Sequence, residues 1–403
     1  MPQIKMYPAK EGDAFLIKHN KVEPIAILID GGYSSTFKEY IFPDLSNLAQ
    51  LGYSLTLAVA THIDSDHLSG LLAFFKQNGN SLSPKIIQVE NVWHNSLRSI
   101  SIKSEMNEGK ISNDNNLLKE ICRRGYPVPA GFTVKPDEIS IRQGSSLAAL
   151  LLGGNYCWNL GDGSESINVS ENNIYKIFPD INIRVIGPPK NRLEQLYKMW
   201  VAELRRMGFA GKISSNSSFD DAFEFLCAFE DLRVRMINEP IALSNSATRQ
   251  LDDVYNADDS ITNGSSISLI IELGKWRLLF LGDSYSEDIE AELRKRQTAT
   301  FPMVFDVIKI SHHGSLRNTS PELLRIIDAP VYLISSSGSR HNLPNIEVLR
   351  AIVDRPSNFQ RHLYFNYNTQ ASQKMHHYVS QSGALFKIYE GITDWIKISE
   401  WPK

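Results

Sequence analysis

The segment Thr61-His62-Ile63-Asp64-Ser65-Asp66-His67 puts two imidazoles and two carboxylates within six consecutive positions. It follows Leu55 to Thr61, an apolar and β-branched run that reads as a buried strand. It precedes Leu68, Leu71, Leu72 and Phe75, which have helical spacing and stop at Asn78-Gly79-Asn80. At an extended strand end, residues i and i+2 point the same way, so His62 and Asp64 face one point. Asp66 and His67 turn over the helix start and approach that point from another side. Nitrogen and oxygen donors in this arrangement suit one or two divalent cations. The plainer alternative is a helix cap at Asp66, with the histidines as polar loop residues.

Two later segments weigh against that alternative. Leu278-Leu279-Phe280-Leu281-Gly282-Asp283 is an apolar strand with a carboxylate at its tip. Val307-Ile308-Lys309-Ile310-Ser311-His312-His313-Gly314-Ser315 is another, ending in two histidines and a glycine. Singly, a Gly-Asp pair is an ordinary turn and a His pair is ordinary surface. Three strand tips in one chain, each with a metal-ligand residue, point to a metal centre.

In their order these segments resemble the metallo-β-lactamase superfamily, whose H-x-H-x-D-H motif is followed by a later His, an Asp and a His. The corresponding residues are His62-x-Asp64-x-Asp66-His67, Asp283 and His312. The resemblance is closest to the ComEC-like branch, the metallo-β-lactamase domain of the DNA-uptake channel proteins of competent bacteria. That branch reads T-H-x-D-x-D-H, then G-D, then H-H-G-S. Its opening G-D-A and I-D-G-G are similar to Gly12-Asp13-Ala14 and Ile29-Asp30-Gly31-Gly32. Ser336-Ser337-Gly338-Ser339-Arg340-His341-Asn342-Leu343-Pro344 resembles its S-x-G-x-x-N-x-x-x-H-P region. The similarity lies in scattered blocks within 1–100 and 263–403, and 190–262 is outside it.

The resemblance implies an α/β fold, the four-layer αββα metallo-β-lactamase sandwich, here with a helical insertion. It implies two divalent metal ions, Zn2+ or Mn2+. His62 and Asp64 would hold the first, Asp66, His67 and His312 the second, and Asp283 would bridge them. The superfamily's second His is Asp64 here, and Asn263, Ser265 and Ser266 stand near its middle His. More oxygen and less nitrogen soften the preference for zinc and admit manganese. The implied activity is hydrolysis by a metal-bound hydroxide, with the metals stabilising the developing oxyanion. Asp66, His313 and His341 are the catalytic candidates. His341 follows a strand end and a Ser/Gly loop and is expected to protonate the leaving group. His313 is expected to support a ligand or touch substrate, and Asp30 to orient a ligand from behind.

Fold does not choose a substrate. The ComEC-like motifs favour phosphodiesters, hence a nuclease or phosphodiesterase, with a defence effector among the roles it would suit. The alternative is a hydrolase of a small-molecule ester, lactone or cyclic nucleotide. A non-enzymatic reading, with a structural metal and a helical pair for protein contacts, fits less well, because structural zinc sites are closed cages of Cys and His. The expected partners are nucleic acid or a small phosphodiester, and a regulatory protein on residues 190–262.

The chain has 403 residues, 42 Lys plus Arg against 45 Asp plus Glu, and a net charge of −3, which excludes a globally basic nucleic-acid coat. Cys122, Cys157 and Cys227 are odd in number and far apart, which excludes a disulfide scaffold or cysteine-rich zinc module. MPQIKMYPAK has no apolar signal core, and no apolar run reaches 18 residues. The expectation is a cytoplasmic protein that does not engage membrane. Residues 1–189 and 263–403 are read as halves of one domain, and 190–262 as an inserted helical pair with a long loop that serves as a lid or partner surface outside the core. Strands are expected at Ala14–Lys18, Ile25–Ile29, Lys85–Val92, Leu147–Leu152 and Ile183–Ile186, and after 263 at Ser268–Glu272, Arg277–Leu281, Val304–Ile310, Val331–Ser335, His362–Phe365 and Leu385–Tyr389. Lys190, Arg192, Lys198, Arg205 and Arg206, interleaved with Tyr197 and Trp200, form either a single-strand-binding stripe or the solvated face of an amphipathic helix.

Overall fold

A computed structural model describes residues 1–20, 24–101, 115–124, 145–170, 174–178, 181–214, 217–237, 249–295, 302–339 and 342–398. The protein is mixed α/β. One sheet holds β1 (Gln3–Met6), β2 (Phe15–Asn20), β3 (Pro24–Ile29), β4 (Leu57–Val59) and β5 (Val92–Trp93), with β16 (Ile396–Lys397) against β1. The other holds β6 (Ile174–Phe178), β7 (Ile181–Gly187), β8 (Ser268–Leu273), β9 (Trp276–Phe280), β11 (Val307–Lys309), β13 (Val331–Ile334), β14 (Arg361–Phe365) and β15 (Phe386–Tyr389). The short strands β10 (Met303–Val304) and β12 (Ile327–Asp328) pair separately.

Each sheet is part antiparallel and part parallel, and the parallel parts matter for the site. In the first sheet β3, β4 and β5 run parallel, with Ile29 opposite Val59 and Val59 opposite Trp93. In the second, β9, β11 and β13 run parallel, with Lys309 paired to both Phe280 and Leu333. Parallel strands put their carboxyl ends on one edge, where ligands of open α/β sheets bind.

Strand alternation sorts the apolar side chains into clusters. Ile17, Ile27 and Val59 of the first sheet share one buried cluster with Leu269, Leu278 and Val307 of the second. Leu28 and Ala58, on the opposite face of the first sheet, join Leu68, Leu71 and Phe75 of the helix Ser65–Asn78. Ile270, Leu279 and Ile308, on the opposite face of the second, join Ile289 and Leu293 of the helix Ser286–Lys295 and Leu349 of the helix Ile346–Val353.

Three sequence expectations change. Leu147–Leu152 lies in a helix, Leu147–Gly153, not a strand: Ser146 caps it by accepting from the Ala149 amide, and Leu and Ala favour that form. A short apolar run does not by itself distinguish the two. Residues 190–262 do contribute to the core: Leu193, Trp200 and Leu204 of the helix Lys190–Arg206 and Phe223 of the helix Ser217–Ile237 lie in the cluster that holds Leu28 and Phe75. The expected strand Lys85–Val92 shrinks to β5, Val92–Trp93, with only an isolated bridge between Val89 and Leu55 before it. Of the two readings of the basic stripe, the face of an amphipathic helix holds, because Tyr197 and Trp200 are buried. Arg192 pairs with Asp288, Arg206 with Glu203, and Arg205 donates to the Phe209 and Gly211 carbonyls. Sequence reading also missed the helix Phe42–Gln50 and the π turn Phe37–Ile41 before it.

Candidate metal centre

The strand tips converge. Asp30 follows β3, Thr61 and His62 follow β4, Asp283 follows β9, and His312 and His313 follow β11. The sheets are tied there by the Ile267 amide donating to the Thr61 carbonyl at 2.9 Å and by Ser335 Oγ donating to the Gly12 carbonyl at 2.8 Å.

Asp283 is the focus. Its Oδ2 lies 3.9 Å from His62 Nε2, 3.5 Å from His67 Nε2, 3.9 Å from His312 Nε2 and 3.7 Å from His313 Nε2. These separations exceed hydrogen-bond length. They fit donors sharing an ion: bonds of about 2.0–2.2 Å put two ligands no more than about 4.4 Å apart. His62 Nε2, His67 Nε2 and both Asp283 oxygens are buried and accept or donate no hydrogen bond. Buried polar atoms without partners are costly, and a cation is the partner this donor set suits. The chain therefore fits the group that its motifs imply.

The ligand groups divide differently from expectation. His62, His67 and Asp283 form one candidate set, Asp66, His67 and His313 a second, and Asp283, His312 and His313 a third. His67 and His313 each fall in two of these candidate sets. Asp64 Oδ2 lies 3.3 Å from His62 Nε2. His341 lies outside the described residues.

Local structure explains these directions. Asp64, not Asp66, occupies the N-cap of the helix Ser65–Asn78, and its side chain makes no cap hydrogen bond. The capping alternative is therefore set aside. Asp66 lies in the first turn, where a carboxylate is favoured by the helix dipole. Asp30 accepts from the Thr61 amide at 2.8 Å and hydroxyl at 2.7 Å, and its Oδ2 lies 2.9 Å from His67 Nδ1. That contact fixes the ring and leaves Nε2 facing Asp283.

His312 and His313 both have left-handed backbone, φ 42° and 56°, and Gly314 follows at 82°. Two successive non-glycine residues there cost roughly 1–2 kcal/mol each. The turn is held by the His312 amide donating to the Gly282 carbonyl at 3.0 Å and by His313 Nδ1, 2.8 Å from the Ser335 carbonyl. His312 Nδ1 lies 2.7 Å from Asn318 Oδ1 and 3.3 Å from Asn263 Nδ2. Both amides donate to Asp258, so the end of the 190–262 segment helps to orient the His312 ring.

The electrostatics suit a cation. Burial would raise the Asp283 pKa, but His67, His312 and His313 outweigh it and hold it well below the usual carboxylate range. Burial would lower the His67 and His313 values, yet the carboxylates of Asp283 with Asp30, and of Asp13 with Asp283, raise them. A field that draws protons onto these rings draws metal ions as well.

Sequence reading assigned no role to Lys309, Asp13, Asn318 or Asp258. Lys309 is buried at the end of β11, ion-paired to Asp13 and 3.6 Å from Asp283 Oδ1. Burial opposes its charge, but Asp13 and Asp283 prevail and its pKa is raised. The available signal was a lysine within an otherwise apolar strand.

A scan against protein-family models matches none, and a search of curated proteins finds no similar sequence. Among the described residues no helix is long and apolar enough to cross a membrane.

Proposed function

We propose that this chain is a metal-dependent hydrolase acting on phosphodiester bonds, with Zn2+ or Mn2+ held by His62, Asp64, Asp66, His67, Asp283, His312 and His313. The observation that carries the reading is the convergence of four imidazole Nε2 atoms on one buried carboxylate oxygen. A four-layer αββα arrangement belongs to the same proposal, supported by the apolar cluster common to both sheets and the helix-covered clusters on their opposite faces. Divalent cations in such a site supply a nucleophilic oxygen near neutral pH and stabilise developing negative charge. The chain's own residues orient the ligands: Asp30 holds His67, Asn318 holds His312, and the Ser335 carbonyl holds His313.

His341 is assigned to leaving-group protonation. Among the described residues, Ser337 lies four positions before it and donates its amide to the Lys10 carbonyl. His341→Ala is expected to slow turnover by about 10²–10⁴-fold while metal binding is kept; an unchanged rate removes the assignment. The activity is tested with chromogenic phosphodiesters and single- and double-stranded DNA and RNA, in Zn2+ and Mn2+. Hydrolysis lost in Asp66→Ala, with cooperative unfolding retained, supports the proposal. Cleavage of a lactone or carboxylic ester with no phosphodiester turned over contradicts it.

A further inference from the structure

We infer, on the footing of that metal-centre reading, that Lys309 is a positioning residue. Its ammonium holds Oδ1 of Asp283, so that Asp283 offers Oδ2 to the metal, and through Asp13 it also braces His313. Lys309 sits on β11, inside the parallel run flanked by β9 and β13, where strands are normally apolar on both faces. Val307, two residues earlier and on the same face, lies in the cluster between the sheets. A lysine reaching that interior at 1% exposure needs strong partners.

Three oxygens surround Nζ, two of them in direct contact and the third, from Asp283, at ion-pair distance. The Gly282 carbonyl accepts at 3.0 Å, Asp13 Oδ2 is in close contact, and Asp283 Oδ1 lies at 3.6 Å. The two oxygens of Asp283 therefore face different neighbours, Oδ1 the ammonium and Oδ2 the imidazole fan. Gly282 directly precedes Asp283, so the same ammonium also fixes the backbone that presents the carboxylate. Asp13 extends the arrangement, with Oδ1 3.3 Å from His313 Nδ1. Gly12 permits this: a β-carbon there would lie 1.8 Å from the Asp66 carbonyl oxygen, so only glycine lets the loop carrying Asp13 press against the ligand turn.

Two variants carry the test. D13N/K309M removes both members of the ion pair and leaves the net buried charge unchanged, so a change reports lost positioning rather than lost charge. Lys309→Gln keeps an N–H donor without the charge. Cooperative thermal unfolding is checked for each. The readouts are Co2+ affinity, by competition with a chromophoric chelator, and the intensity of the visible d–d bands, which reports coordination. Wild type is expected to bind Co2+. Each folded variant is expected to bind at least about tenfold more weakly, with altered band intensity. Affinity within about twofold of wild type together with an unchanged spectrum, in either folded variant, overturns the role of Lys309 and leaves the metal centre standing. A wild-type protein that binds no Co2+ overturns the metal reading beneath it.

Discussion

At the scale of single residues, Asp283 carries the largest consequence. One of its oxygens faces four imidazoles, and its buried charge is matched to cations rather than to hydrogen-bond donors. Asp283→Asn keeps the shape and removes the charge. Hydrolysis and metal binding are expected to be lost, because the amide replaces an anionic ligand, while thermal unfolding stays cooperative. Retained activity in the metal-replete variant would count against a carboxylate-centred site. The ligand candidates were legible in sequence because metal chemistry restricts residue type and because His62, Asp64, Asp283 and His312 all close apolar runs. Asp13 and Lys309 were not, since an ion pair between residues 296 positions apart has no local signature. The sharing of His67 between ligand sets depends on the angle at which two strand ends meet, which spacing does not encode.

At the scale of elements, the helix Ser65–Asn78 must lie hard against the Asp30-Gly31-Gly32 turn for Asp30 to reach His67. A β-carbon at Gly70 would stand 1.8 Å from the Gly31 carbonyl oxygen. Gly70→Ala is expected to destabilise the fold by about 1–3 kcal/mol through overpacking and to weaken metal binding, read as denaturant midpoint and chelator competition. An unchanged midpoint would show that the contact yields freely. A second prediction concerns the helix Ser217–Ile237, whose Glu224 meets His94 and the Leu147 and Ala148 amides. Burial raises the pKa of neighbouring Asp220 from 3.8 to about 7, with Arg98 opposing and Glu224 adding to it. Between those values the folded state holds a proton that the unfolded chain releases, so this group's contribution to stability falls as pH rises. Asp220→Asn keeps an acceptor for the Arg98 amide and should flatten that part of the stability profile between about pH 4 and 7. An identical slope would contradict it. The strand pattern was readable wherever apolar runs ended in turn residues. The run Leu147–Leu152 misled because six apolar residues suit either form, and its N-cap serine decided it.

At the scale of the whole molecule, the candidate centre lies where two sheets meet: His62 follows β4 and His67 lies in the helix after it, while Asp283, His312 and His313 follow strands of the other sheet. The helices of 190–237 add to the core behind the first sheet rather than standing apart from it. Their place was not legible, because an amphipathic helix reveals which face is buried but not what covers it. The claim on which the rest depends is that strand ends from both sheets hold divalent cations around Asp283. Anomalous diffraction from crystals grown with Mn2+ or Zn2+, recorded on both sides of the metal edge, tests it most directly. The account predicts peaks within coordination distance of Asp283 Oδ2 and of the His62, His67, His312 and His313 Nε2 atoms. Well-ordered side chains at these positions with no anomalous peak among them, in crystals soaked with either metal, would contradict it.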